Sequence, residues 1–242
     1  MTKLDSEYRN FDHYIKEGWL AQPKESAKSL ATLIAQHQSR PAGRLLDIGC
    51  ATGELMSYLS ARFPDLSLTG TDVFDELLET GRRLLPTASF EKASVLELPD
   101  SFHQGFDFVT AIGVMSIFDE HQLELFWKNI LDATKPGGFI AVLSPLNEYG
   151  IDAVIRHRKR QDGAVGEWEA GWNVFSVETV REVLSRHGQE QVNIERFVFK
   201  PTLLPREDLI RTWTLPTRDN PHQLTNGLKL LVDHFFITLK KH

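Results

Sequence analysis

The sequence of 242 residues holds a single cysteine, Cys50, which excludes an intramolecular disulfide framework. No apolar run approaches the ~20 residues that a membrane-spanning helix needs. Basic charge is not in excess: 27 Lys and Arg against 33 Asp and Glu give a net charge of −6. That leaves no overall basic footprint for nucleic acid. No Cys/His or carboxylate cluster has metal-ligand spacing. No segment repeats, and none is of low complexity. The first ten residues are polar and lack the apolar core of a signal peptide. These absences predict a soluble cytoplasmic protein with no metal and with neither nucleic acid nor membrane as partner. What is present suffices for a full core: 41% of the residues are hydrophobic, and the length suits one domain over 1–242.

The chain is organised around residues 45–55, LLDIGCATGEL. The run from Arg44 to Ile48 carries one acid and reads as a buried strand. It breaks at Gly49, and apolar spacing resumes at Leu55, Leu59 and Phe63, about one helical turn apart. Strand, glycine-bearing turn and helix in this order let a ligand approach bare backbone. A dinucleotide fold would carry G-x-G-x-x-G here. Position 51 is Ala instead, and the next glycine is Gly53. Asp47, two residues before the first glycine, would repel a pyrophosphate and favours a ligand with cationic character. Cys50, without a His or Asn motif beside it, reads as a small packing residue rather than a nucleophile.

The pattern D-I-G-C-A-T-G resembles the first motif of class I S-adenosylmethionine-dependent methyltransferases, D-x-G-x-G-x-G. Asp47, Gly49 and Gly53 match it, and Ala51 departs at the middle glycine. Gly70-Thr71-Asp72 resembles the family's second motif. Asp72 lies 23 residues after Gly49, at the end of the predicted strand Leu66–Thr71. An acid there can accept hydrogen bonds from both ribose hydroxyls, and the plainer alternative is an N-cap for the next helix. Val73 follows it at the expected cofactor site. Family members often carry an Asp where Ser94 stands, to bond the adenine amino group. Ser94 accepts a hydrogen bond with shorter reach, and Val95 offers its backbone. F-D-x-V at Phe106 and K-P-G-G at Lys135 are further resemblances, the second predicting a turn into a fifth strand over 139–143.

The exit of the fourth strand, Ile112 to Phe118, should border the transfer site, because ligands of open α/β sheets sit at the carboxyl ends of strands. Ile112-Gly113-Val114-Met115 lacks the polar-Pro-Pro-aromatic motif of amino-methyltransferases acting on nucleobases, which favours a small-molecule substrate. The resemblance implies S-adenosylmethionine as cofactor and an α/β fold. That fold is a doubly wound, mostly parallel seven-stranded Rossmann-like sheet with an antiparallel last strand and an N-terminal helical lid over 1–40. Tyr14 and Trp19 are the lid residues expected over the cofactor. His13 reads as a surface residue rather than a base.

Two stretches depart from a minimal domain. Residues 146–175 combine the basic cluster Arg156-His157-Arg158-Lys159-Arg160 with Trp168 and Trp172, and residues 201–229 are rich in proline. Both read as substrate-side insertions. The plainer reading of the first is a solvated basic helix followed by a glycine-rich loop. Its arginines suit an anionic acceptor. The catalytic candidates are His121, near a helix start that favours its neutral form, and Glu148 and Tyr149 at the fifth strand's exit. The function expected is methyl transfer to an oxygen or nitrogen of a small molecule, the basic cluster pointing to an anionic one. The alternatives are an inactive cofactor-binding scaffold, a protein or RNA methyltransferase, and a dehydrogenase against which the glycine spacing speaks. Neither the acceptor nor the oligomeric state is legible.

Overall fold

The structure, a computed structural model, describes residues 22–38, 42–161, 164–206 and 211–242. The lid residues Tyr14 and Trp19, and His13, lie outside the described residues.

Helix α1 (Glu25–His37) buries Ala27, Leu30, Ala31 and Ile34 along one face. Then strand and helix alternate: β1 (Gly43–Ile48), α2 (Glu54–Arg62), β2 (Leu66–Asp72), α3 (Asp75–Leu84), β3 (Ser89–Lys92) and β4 (Phe106–Ile112). α4 (Glu120–Ala133) and β5 (Thr134–Asn147) follow. Local chemistry marks the boundaries. α3 opens with Asp75 and Glu76 and closes with Arg82 and Arg83, matching the charge at each end of the helix dipole. α4 starts in a full capping box: the Asp119 carboxylate accepts from the N–H groups of His121 and Gln122, and the Gln122 side chain accepts from the Asp119 N–H.

Beyond β5 come four two-residue strands, β6 (Arg156–His157), β7 (Arg160–Gln161), β8 (Ala164–Val165) and β9 (Glu169–Ala170). They are followed by β10 (Phe175–Ser176), α5 (Val177–Arg186), β11 (Asn193–Arg196), β12 (Trp213–Leu215), β13 (Gln223–Thr225) and β14 (Leu231–Lys240). Among the described residues, ten strands form one sheet, with the path β12-β13-β14-β5-β4-β1-β2-β3. The five strands β3-β2-β1-β4-β5 are parallel. β14 runs antiparallel to β5 and to β11. Helices cover both faces. Val109, Ile140 and Ile237 pack with α4 and α5 on one side, and Leu45, Phe139 and Phe236 with α1 and α2 on the other.

The seven expected strands are present as β3-β2-β1-β4-β5-β14-β11, and the two late stretches add short strands to them: β10 pairs with the end of β5, and β12 and β13 extend the sheet beyond the start of β14. Two expectations need correction. The fifth strand is 14 residues long rather than five. Its K-P-G-G segment falls within the strand but bends at Gly137, whose φ is +73°, and is held where the Gly137 N–H donates to the Lys241 carbonyl and the Lys241 N–H to the Gly138 carbonyl. The basic cluster is not a helix. It folds into two small antiparallel pairs, β6 with β9 and β7 with β8, with Arg158 stacked 4.8 Å above the Trp168 ring.

Candidate active site

A cleft opens at the carboxyl edge of the parallel strands, over the turn between β1 and α2. Gly49 enters this turn at φ +68°, and a side chain there would stand 2.5 Å from Val114 Cγ2. Bare backbone thus lets the turn close against the exit of β4. Ala51 also adopts a left-handed φ of +47°, as Gly53 does at +75°. The Ala51 N–H donates to Asp72 Oδ2 at 3.0 Å and the Phe74 N–H to Oδ1 at 3.2 Å. Asp72 therefore ties the first turn to the end of β2. It does not cap α3, whose first turn has no side-chain cap.

Asp47 is buried at the end of β1 and accepts a hydrogen bond from Thr110 Oγ1 at 2.8 Å. Burial pushes its carboxyl up to about 7, the Thr110 hydroxyl pulls it down, and the charge of Asp72 raises it again. Burial also raises Asp72, against the backbone N–H groups of Phe74 and Ala51. Neither carboxylate forms an ion pair among the described residues. Two partly compensated acids beside one cleft are relieved by a cation. Burial raises the Cys50 thiol as well, and its sulfur packs where Gly70 lacks a side chain. It is a packing residue at the cleft wall.

Of the residues singled out for cofactor binding, Asp47, Gly49, Cys50, Ala51 and Asp72 line the cleft, as do Val73, Ser94, Val95 and Ile112. Gly53 does not. A side chain there would meet the Phe90 ring at 2.8 Å, so its smallness serves helix-to-strand packing. The Ser94 hydroxyl already accepts from the Leu96 N–H at 3.2 Å, and the Val95 carbonyl accepts from the Asn129 side chain at 2.8 Å. The bonds fix this segment with the Ser94 hydroxyl proton still free to donate.

The three acid–base candidates lie elsewhere. The Asp119 capping box turns His121 outward, and its side chain is 86% exposed. Glu148 is held by Arg196, and Tyr149, 84% exposed, sits on a turn where its N–H donates to Asn147 Oδ1. Glu148 and Tyr149 line a different hollow, between the end of β5 and the start of β14. The Ile112–Phe118 exit borders the cleft as expected, but sequence reasoning did not name the residues that face it from α1 and α2. Lys24, Ser26 and Ala27 reach it from the start of α1, and Tyr58 from α2. Ile117 and Phe118 wall it after β4. Leu55 and Tyr58 are three apart on one helix just past the turn, a spacing that marks a shared face. Nothing in the local sequence signals the α1 residues, which arrive through tertiary packing alone.

A doubly wound α/β sheet with a glycine-bearing turn and paired acids over its carboxyl edge defines a class of ligand-binding enzyme folds. Residues 46–140 match the family model described as a methyltransferase domain. The trans-aconitate 2-methyltransferase of Rhizobium meliloti (strain 1021) is 35% identical over 123 residues, 51% of this chain and 46% of that protein. The enzyme of the same name from Sinorhizobium medicae (strain WSM419) is 34% identical over 147 residues, 61% of this chain and 56% of that protein. The chain thus spans about half the length of the curated relatives it matches. The structure of the DhpI–SAH complex shares the fold with a TM-score of 0.59, covering 97% of this chain and 95% of that one at 17% identity. Over residues 46–140 the chain is therefore similar to methyltransferase domains, and over most of its length it shares the fold of the DhpI–SAH complex.

Proposed function

We propose that the protein transfers a methyl group from S-adenosylmethionine to an oxygen of a small carboxylate acceptor. The observation that carries this reading is the pair Asp47 and Asp72. Asp47 is buried and Asp72 half-buried, and the two flank one turn and lack a cationic partner among the described residues. S-adenosylmethionine fits them with two positive groups, its ammonium and its sulfonium. When bound, it supplies an electrophilic methyl group. Asp72 keeps lone pairs for the ribose hydroxyls while its two backbone bonds hold it in place. The Gly49–Thr52 turn and Val73 offer backbone at close range, and Ser94, Val95 and Ile112 would border the adenine and the reacting end.

The half of the cleft made by Lys24, Ser26, Tyr58, Ile117 and Phe118 then receives the acceptor. Alignment and exclusion of water supply most of the acceleration in such a transfer. A carboxylate is ionised at neutral pH, so its methylation needs no general base. That agrees with the outward positions of His121, Glu148 and Tyr149. The curated relatives named for trans-aconitate support an acid as acceptor. Residues 1–40, 146–175 and 201–229 are the parts of a single domain that would select it.

Parallel calorimetric titrations with S-adenosylmethionine, S-adenosylhomocysteine and NAD test the cofactor. Binding of the first two and not of NAD is expected, and NAD binding alone would overturn the reading. Methyl transfer from labelled cofactor to trans-aconitate and other small di- and tricarboxylates then tests the acceptor class. Turnover of amines in preference to acids would refute it.

A further inference from the structure

The 151–175 excursion meets the cleft wall at Asn173, which is completely buried. Its side-chain amide donates to the Phe118 carbonyl at 2.7 Å, and its backbone N–H donates to the Ser116 carbonyl at 2.9 Å. Its Oδ1 accepts from the Ile155 N–H at 2.7 Å. Three bonds from one residue therefore join the segment after β4 to both arms of the excursion. That segment is a single 3-10 turn, Met115–Ile117, closed by the bonds of Ile117 N–H to Val114 and of Phe118 N–H to Met115. Ile117 and Phe118 are part of the cleft.

The excursion has a stiff neck behind this contact. Ala153 and Val174 exchange both backbone hydrogen bonds, at 2.8 and 2.9 Å, and the Gly171 N–H donates to the Ile155 carbonyl. Asp152 takes the Ser176 N–H and the Thr179 hydroxyl, fixing the neck to the start of α5. Beside Asn173 the backbone is strained: Trp172 holds a left-handed φ of +63°. A bulky residue persists there only where its surroundings over-determine it, and such outliers gather at functional sites. Here the bonds of Asn173 and the neck supply that constraint.

We infer that Asn173 is a positioning residue for the acceptor half of the cleft. It sets the place of the Ile117–Phe118 wall and couples that wall to the 151–175 excursion. The excursion then governs acceptor binding and leaves cofactor binding alone, since Asn173 touches neither the Gly49–Thr52 turn nor Asp72. This rests on the methyl-transfer reading above.

Asn173→Asp is the direct test. It keeps the size and the acceptor for the Ile155 N–H, but sets a carboxylate against the Phe118 carbonyl in place of a donor. The folded variant should bind S-adenosylhomocysteine within about threefold of the unsubstituted protein. Amide hydrogen exchange at Ile117 and Phe118 should quicken by about tenfold or more as the turn opens locally. For the carboxylate that the unsubstituted protein methylates, KM should rise by about tenfold while kcat stays within about threefold, the signature of lost binding that the ground and transition states share. Asn173→Ser, which retains one hydroxyl donor, keeps the test open if the aspartate variant does not fold. Unchanged exchange at Ile117 and Phe118, or cofactor-product affinity falling together with acceptor affinity, would overturn the inference. Failure of the unsubstituted protein to bind S-adenosylhomocysteine would instead overturn the methyl-transfer reading, and is seen before any variant is made.

Discussion

Ala51→Gly should stabilise this protein, against the usual effect of adding glycine. Ala51 stands where the family pattern has glycine, and its φ is +47°. A residue with a Cβ in that region costs roughly 1–2 kcal/mol. Glycine removes the cost but frees the unfolded chain, which returns about 0.4–1 kcal/mol. The net gain is about 0.5–1 kcal/mol. For a domain of this size it should raise the melting midpoint by about 1–4 °C in a calorimetric scan. The Ala51 N–H to Asp72 bond, 3.0 Å long, is a backbone bond and survives the change. S-adenosylhomocysteine affinity should therefore hold within about twofold, less than the factor of ten that 1.4 kcal/mol would bring. Ala51→Val, β-branched at the same φ, should lower the midpoint. A lower midpoint for the glycine variant, or an unchanged one for the valine variant, would refute strain at position 51.

Gly49→Ala combines a φ of +68° with a methyl 2.5 Å from Val114 Cγ2, and should cost about 2–4 kcal/mol in denaturant unfolding; a loss under about 1 kcal/mol would show that the turn gives way freely. Thr110→Val removes the donor that holds the Asp47 carboxyl down, so its value should climb further above about 7. A cationic ligand needs the ionised form. Calorimetry with S-adenosylmethionine should then show a loss of about tenfold at pH 7 and much less at pH 9, and an equal loss at both would separate Asp47 from the ligand. Burial pushes the His234 imidazole down from 6.5 to about 4. Its folded-state value lies below the unfolded one, so its contribution to stability is intact above pH 6.5 and is lost as pH falls toward 4, by about 2–3 kcal/mol. Asp47 works the other way, its raised value favouring the fold as pH drops below about 7. His234→Gln should thus flatten the acid loss of stability between pH 6.5 and 4.5 in urea titrations, and an unaltered slope would exclude His234 as its source.

Local sequence determined much about this protein. Alternation of buried strands with amphipathic helices along residues 43–133 specified the doubly wound sheet, because periodicity and turn residues act over a few positions. The same short range made the turn legible. Asp47, Gly49 and Ala51 lie within five residues, and Asp72 is one strand away. The rest of the cleft lining, Lys24 and Tyr58 among its residues, comes from separate elements and has no shared sequence pattern. The basic cluster read as a helix because charge and spacing do not report cross-strand partners. Its hairpins depend on Glu169 and Ala170 standing across from His157 and Arg156. The outward turn of His121 and the capture of Glu148 by Arg196, 48 residues away, were likewise decided by packing. A titratable residue at a strand or helix end is visible in sequence. Whether it faces the cleft depends on which distant group binds it first, and that is a matter of long-range packing.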